Sequence, residues 1–595
     1  MQICVLYYVN DIMSKKGYTV NMNTTKEFKS LLYKTYINLG AACLFSLLLF
    51  PIHFDISALA FPIAAIYTAL IIYLSIFKTF LKTDGTRLFA VIKLTEYLPY
   101  VLFITFILRR AGNFGTPFWY DVITVLLWFV IFVLSYLTSR VLYPKKNTKI
   151  VQGWAIPPKE RKFKGGLLII TEAASWVDAL VWSIFTILIF QIFFMQLYEI
   201  PSESMVPTFL IKDRAFVSKI DCGPKFPLTD VGLPDFRKYK RGDTIVLRNP
   251  HYTIDRKSEV KTVTSQLIYM LSIMTVNLNK DDNGELKADP LVKRITGLPG
   301  EQLVMQDGVL YTRTSASDEF KPSEIDAKYA MWNLSGLPAK IRQNVHTFPL
   351  SSSDYEKMLD FEERRRSYDL EAAAVQAKAL SLRLENLAFK DNLNGKFTAP
   401  DLFEYYLFRD VQDISRRLIT QEEGTKWFRD FMTSWIPAKD HVRDMYAESN
   451  YRLNVMTKIT FGQLVVRYAE LFMNSASASS YSSDSELAEY YQMAENLNWY
   501  IQSLLDERNM PLFPANDAQG NPQYIPKNCY FMMGDNRFNS LDLRHANSQS
   551  LKPLTNDDKA SVQYYSMMAP QYINKKYIIG KPVFRFWPLN RFGKV

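Results

Sequence analysis

Five apolar stretches crowd into the first 200 residues of this 595-residue chain, and they restrict its folding more than any other feature. They run Thr35–Phe50, Ile56–Phe77, Leu88–Leu108, Phe118–Leu142 and Ala179–Leu197. A helix needs about 20 apolar residues to cross about 30 Å of hydrocarbon. The second, fourth and fifth stretches meet that length. The first is short, and the third carries Lys93 and Glu96 near its start. Those two charges either pair as i, i+3 neighbours in a tilted, shallow span or face the interior of a bundle.

Loop charges orient the spans. Lys15, Lys16, Lys26, Lys29 and Lys34 precede the first, and Lys78, Lys82 and Arg87 separate the second from the third. Lys145, Lys146, Lys149, Lys159, Arg161 and Lys162 lie between the fourth and fifth, with Glu160 as the only acid among them. Basic loops stay in the cytoplasm, so the N-terminus is expected inside and everything after Leu197 outside. Arg109 and Arg110 dissent, because they fall on the outer side. The net charge of +11 is therefore read as membrane topology, and nucleic acid is not expected as a partner. Met1–Val9 is too short and too poor in basic residues to read as a cleavable signal peptide.

Beyond Leu197 the composition is that of a water-soluble domain. Short β-like runs occur at Arg214–Ile220, Thr244–Arg248 and Gln302–Arg313, the last holding an Asp307-Gly308 hairpin turn. Strands resume at Tyr530–Met533 and Tyr577–Phe586. Between them the chain turns helical and charged. Leu370, Ala373, Ala377, Leu380, Leu384 and Leu387 keep a 3-4 spacing, and helices are expected over Asp401–Thr420, His441–Phe472 and Ser485–Glu507. Ser475–Ser485 reads as a serine-rich linker. Gln266–Leu278 is apolar but too short to span, so it is expected as a buried or interfacial helix. The fold class follows: a multi-pass α-helical membrane region, then a mostly-β domain with a large α-helical insertion. Its boundaries are 1–34 for a cytoplasmic segment, 35–198 for the spans, 199–313 and 523–595 for the two parts of the β domain, and 314–522 for the insertion.

The four cysteines show no metal-ligand spacing. Cys222 and Cys529 would share the outer side, so a disulfide is open, although two unpaired small hydrophobes is the plainer reading. Asn279–Gly284 begins like a calcium loop, but Pro290 stands where a bidentate glutamate is required.

Chemistry concentrates in four segments. Pro201-Ser202-Glu203-Ser204-Met205-Val206-Pro207-Thr208 follows the last span directly, as a nucleophile fixed at a set height above a membrane would. The others are Arg241-Gly242-Asp243-Thr244-Ile245-Val246, then Val292-Lys293-Arg294-Ile295-Thr296-Gly297-Leu298-Pro299-Gly300-Glu301, then Gly534-Asp535-Asn536-Arg537-Phe538-Asn539-Ser540-Leu541-Asp542-Leu543-Arg544. A nucleophilic serine needs a base, usually histidine. None of His53, His251, His346, His441 and His545 sits in a recognisable triad motif. A lysine serves instead only if burial lowers its pKa from about 10.4. Leu291, Val292 and Ile295 give Lys293 an apolar local sequence. A turn serine between prolines and a surface lysine on a strand are the plain alternatives.

In order, and directly after a span, the four segments resemble those of the bacterial type I signal peptidases, membrane-bound Ser/Lys proteases. The resemblance implies Ser204 as nucleophile, Lys293 as general base, and an oxyanion hole from the Ser202 hydroxyl and the Ser204 N–H. It implies Ser540 as the group that orients the lysine, and Asp535, Arg537, Asp542 and Arg544 as structural support. Met205, Leu291 and Val292 are candidate pocket walls for small residues at the −1 and −3 positions of an extended substrate. The expected activity is removal of signal peptides from exported preproteins at the outer face of the bacterial cytoplasmic membrane, with no cofactor. Preproteins, membrane lipid and the protein-translocation machinery are the expected partners. Glu203 stands where many relatives carry glycine, and Phe538 where they often carry aspartate. Another Ser/Lys membrane protease, and a non-catalytic scaffold whose helices bind a partner, are the rival readings. The insertion is expected as a structural appendage before a partner site.

Overall fold

The computed structural model describes residues 26–51, 55–82, 87–112, 115–142, 166–252, 255–272, 276, 278–280, 284, 287–389, 393–474 and 478–595. Cys4, Lys15, Lys16, His53 and the basic loop from Lys145 to Lys162 lie outside the described residues. The chain forms two compact units. One comprises Met1–Phe194, Gly223–Pro234 and Thr253–Lys287, and the other Met195–Cys222, Asp235–Tyr252 and Ala288–Val595.

Among the described residues, the first unit holds five helices long and apolar enough to cross a membrane: Lys29–Leu48, Ile56–Phe80, Leu88–Arg110, Phe118–Val141 and Glu172–Phe193. Hydrocarbon offers backbone groups no partner, so such segments close their hydrogen bonds internally as helices. Pro99 lies within the third helix, and the Trp128 indole donates to its carbonyl at 2.8 Å. Small Ala42, Ala60 and Ala64 are fully buried at the bundle core beside Phe45, Leu98 and Phe106, as close helix approach requires. Phe226 from the Gly223–Pro234 loop inserts its ring between Phe106 and Trp128, 5.1 Å from each. Lys93 pairs with Glu96 at 3.0 Å and also with Asp178 of the fifth helix at 2.8 Å.

That last contact corrects the fifth stretch. The sequence pattern placed it at Ala179–Leu197, whereas the helix runs Gly166–Phe193 and a strand begins at Met195. Asp178 reads as a boundary in the sequence but has its partners on the third helix. The expected Asp401–Thr420 helix is also broken, into Glu404–Arg409 and Val411–Thr420, around Asp410. Of the short apolar run at Gln266–Leu278, residues 266–271 close a helix that starts earlier, Arg256–Leu271, while 273–275 and 277 lie outside the described residues.

Among the described residues the second unit holds, beside its helices, fourteen strands: β1 (Met195–Glu199), β2 (Arg214–Ser218), β3 (Thr244–Leu247), β4 (Leu291–Gly297), β5 (Glu301–Gln306), β6 (Val309–Thr314), β7 (Ser317–Pro322), β8 (Met510–Phe513), β9 (Cys529–Met533), β10 (His545–Pro553), β11 (Gln563–Met568), β12 (Ile573–Asn574), β13 (Ile578–Trp587) and β14 (Gly593–Lys594). An antiparallel sheet runs β1-β2-β13-β3-β4-β9-β12, with β14 on β13. A second sheet runs β7-β6-β5-β8. Its β5–β6 turn is Asp307-Gly308, both at positive φ (51° and 78°), the conformation that suits the right-handed twist of a hairpin.

The helices between β7 and β8 share a core with the strands that follow them. Leu554, Val562 and Tyr564, around the β10–β11 hairpin, are buried with Phe431, Leu453 and Tyr500 of the helices. The long helix Met445–Met473 sits at the centre, and its Lys458 ammonium pairs with Asp558 at 2.5 Å, both side chains fully buried. Cys222 and Cys529 lie in the same core beneath the main sheet and are not bonded to each other.

Candidate active site

Lys293 is the third residue of β4, paired across the sheet with Ile245 of β3, and is 3% exposed. Burial pushes its ammonium down to about 8, and the Arg544 cation adds to the shift while Asp542 and Asp535 oppose it. Its Nζ makes no hydrogen bond or ion pair among the described residues. Strand alternation puts Leu291 on the face of Lys293 and Val292 on the opposite one. Val292 packs with Met205, Ile200, Phe209 and Ala215, whereas Leu291 packs against the core beneath the sheet. The three pocket candidates are thus not one surface.

The serine loop is held from below. The Asn536 N–H donates to the Ser204 carbonyl and the Asn536 side chain to the Glu203 carbonyl, each at 3.1 Å. Ser204 is half-buried, Ser202 is exposed, and their hydroxyls lie 3.3 Å apart. Gly534 is squeezed between this loop and Ser540: a Cβ there would collide with both the Ser204 carbonyl and the Ser540 hydroxyl. Only glycine lets the two serines approach so closely. The Ser540 hydroxyl donates to Asp542 at 2.9 Å.

Asp542 is fully buried and accepts from the Gly534 N–H, Ser540 and the Arg544 guanidinium. Burial alone would raise its carboxyl, but Arg544 outweighs that and holds it well below the usual range. His251, which sequence reasoning passed over, lies within the electrostatic reach of both Asp542 and Lys293. Burial lowers its pKa, and Lys293 lowers it further against the pull of Asp542.

One residue to which the sequence assigned no role joins all four segments. Arg294 grips Asp535 through two bonds of 2.6 Å, donates to the Gly242 carbonyl at 2.6 Å and reaches the Thr208 hydroxyl at 2.9 Å. Its neighbour in sequence, Lys293, faces the other way, so alternation along one strand separates the scaffold cation from the desolvated one.

The insertion enters the site at four points. Arg537 pairs with Asp326 of the helix Glu324–Tyr329 at 2.6 Å, both buried. Met331 pairs with the loop as a short parallel bridge, its N–H donating to the Asp535 carbonyl at 2.7 Å. Glu203, 5% exposed, accepts from the backbone N–H groups of His346 at 2.5 Å and Thr347 at 3.0 Å. Phe538 meets Trp332 edge to face at 5.1 Å. Both departures from the family pattern, Glu203 and Phe538, therefore touch the insertion. No periodicity or local signal in the sequence could have paired residues so far apart.

The family described as signal peptidase, peptidase S26, matches residues 173–358 and 466–587, over half of the chain. Signal peptidase I of Haemophilus influenzae is 23% identical over 190 residues, 32% of this chain and 52% of that protein. Signal peptidase I of Buchnera aphidicola subsp. Schizaphis graminum is 28% identical over 137 residues, 22% of this chain and 40% of that protein. Its counterpart from Buchnera aphidicola subsp. Baizongia pistaciae is 22% identical over 313 residues, half of this chain and 82% of that protein. The chain thus spans about half or less of the length of the first two. Apolar helices followed along the chain by an antiparallel sheet that carries a serine loop are the architecture to which this family match applies. This chain belongs to the signal peptidase family, peptidase S26.

Proposed function

We propose that the protein is a signal peptidase I, a serine endopeptidase that removes N-terminal signal peptides from exported preproteins at the outer face of a bacterial cytoplasmic membrane. The observation that carries this reading is the desolvated Lys293 within electrostatic reach of Asp542, whose partner Ser540 packs with the Ser204 carbonyl around Gly534, in a chain of the S26 family. With a pKa of about 8, roughly a tenth of Lys293 is neutral at pH 7 and able to accept a proton. Ser204 attacks the scissile carbonyl as Lys293 takes its proton. The Ser202 hydroxyl and the Ser204 N–H stabilise the oxyanion, a contribution of about 100- to 1000-fold per donor. Lys293 then returns the proton to the leaving amine, and water releases the acyl-enzyme. Ser540 spends its proton on Asp542, which leaves its lone pairs to receive an N–H of the lysine and orient it.

Ser204→Ala and Lys293→Ala variants of the full chain, purified in detergent, should each lose processing of a preprotein while keeping their melting transition. Normal processing by either variant overturns the mechanism. Retained activity in Lys293→Ala together with loss in His251→Ala would move the base to His251.

A further inference from the structure

Arg109 and Arg110, the two cations that the positive-inside pattern leaves unexplained, end the third apolar helix. Both are buried, Arg110 completely. Arg256 joins them from the start of the helix Arg256–Leu271, its Nε donating to the Arg110 carbonyl at 2.9 Å. The three guanidiniums meet little negative charge. Asp121 pairs with Arg110 and also accepts from Thr116 at 2.7 Å. Asp55 lies against Gly112 and accepts from the Ser57 N–H, and Asp255 caps the helix at Ser258. Nε and Nη1 of Arg110, Nε of Arg109 and Nη2 of Arg256 are buried with no hydrogen-bond partner among the described residues.

Cations at a helix C-terminus complement the helix dipole, which accounts for Arg109 and Arg110. It does not account for Arg256, which stands at a helix N-terminus where a cation is disfavoured. Nor does it satisfy buried donors, which each need an acceptor. Arginine presents its N–H groups as a planar fork that matches a phosphate or carboxylate. The ends of membrane-crossing helices lie at headgroup level, where phosphate is the most abundant acceptor.

We propose that Arg109, Arg110 and Arg256 form a binding site for a phosphate group, supplied by the headgroup of an anionic phospholipid. The phosphate oxygens accept from the orphaned guanidinium N–H groups, and Arg256, the only half-exposed member, is the side from which the headgroup enters. The site is independent of the peptidase reading, since none of its residues belongs to the serine loop or to the strands around Lys293.

The test uses the full chain, delipidated in neutral detergent, with dioleoylphosphatidylglycerol, dioleoylglycerol and inorganic phosphate as separate probes. Phosphatidylglycerol should stay bound in native mass spectrometry and raise the melting temperature by about 3 °C or more. Dioleoylglycerol, which lacks the phosphate, should do neither. An equal rise with millimolar inorganic phosphate identifies a free oxyanion as the ligand and keeps the phosphate site but rejects the lipid source. Arg256→Gln should lower phosphatidylglycerol retention about tenfold, while Arg140→Gln, an exposed arginine at the far end of the fourth helix, should leave it unchanged. Retention within twofold of the parent in Arg256→Gln, or no response to either phosphate-bearing probe, overturns the proposal. Arg256 lies outside the spans, so its substitution spares the bundle; Arg109→Gln supplies the same reading from the other helix.

Discussion

Two residues of the site behave against their type. Lys293 is a cation kept where its charge is disfavoured, so its stability and its function pull in opposite directions. A lysine pKa that is lower when folded than the ordinary 10.5 means the unfolded chain binds the extra proton between about 8 and that value. Stability attributable to this group therefore rises with pH through that window and is lost below it. Lys293→Met should abolish processing and raise stability at neutral pH by up to about 3 kcal/mol, read from denaturant unfolding of the same preparation. Cleavage in the parent should climb with pH and level off above about 8. A rate already flat from pH 6 would argue against a lysine base. Glu203 is the converse case, a carboxylate beside Ser204 that serves as an acceptor for the backbone of His346 and Thr347. Glu203→Gly should cost about 1.5–3 kcal/mol and lower kcat more than it raises KM, because the loop under Ser202 and Ser204 loses a wall. Glu203→Gln, which keeps one acceptor, should recover part of both.

Among the elements, β4 and the Gly534–Arg544 loop carry the organisation. β4 sends Lys293 to one face and Arg294 to the other, and Arg294 ties together segments from four parts of the chain. The loop in turn leans on the insertion through Arg537 and Asp326, and Arg544 donates to the Glu507 carbonyl at 2.8 Å. The helices are therefore not an appendage in the energetic sense. Deleting Ser317–Asn516 would strip the buried Arg537 of its partner, a loss worth about 3–5 kcal/mol for such a pair, and would uncover Leu554, Val562 and Tyr564. The truncated chain should be degraded rapidly by trypsin and inactive towards every preprotein tested. A protease-resistant, active truncation would return the insertion to the status of an attachment.

At the scale of the whole molecule, the reading depends on which side of the membrane the sheet unit occupies. On the proposed topology, with the N-terminus in the cytoplasm and all five apolar helices crossing, Val595 lies outside, so a tag there should be reachable by a membrane-impermeant label in intact spheroplasts. Labelling only after lysis would refute that placement. The family match leaves out residues 359–465, the middle of the insertion, where the helices Leu370–Asn386 and Val411–Thr420 lie. The insertion residues that touch the site, Asp326, Met331, Trp332, His346, Thr347 and Glu507, lie outside that middle segment, within the matched ranges.

The sequence alone determined the pieces whose signal is local. Apolar length marked the five helices, Asp307-Gly308 marked its hairpin, and the 3-4 spacing from Leu370 marked its helix, because each depends on neighbours within a few residues. The order of four short segments was enough to identify the family. Tertiary structure decided the rest: that Asp178 belongs inside the fifth apolar helix because Lys93 meets it, that Arg294 holds the segments together, that Gly534 makes room for two serines, and that Glu203 answers to an insertion 143 positions away. Those are pairings between distant parts of the chain. Burial and charge compensation select them only once the backbone has closed around them.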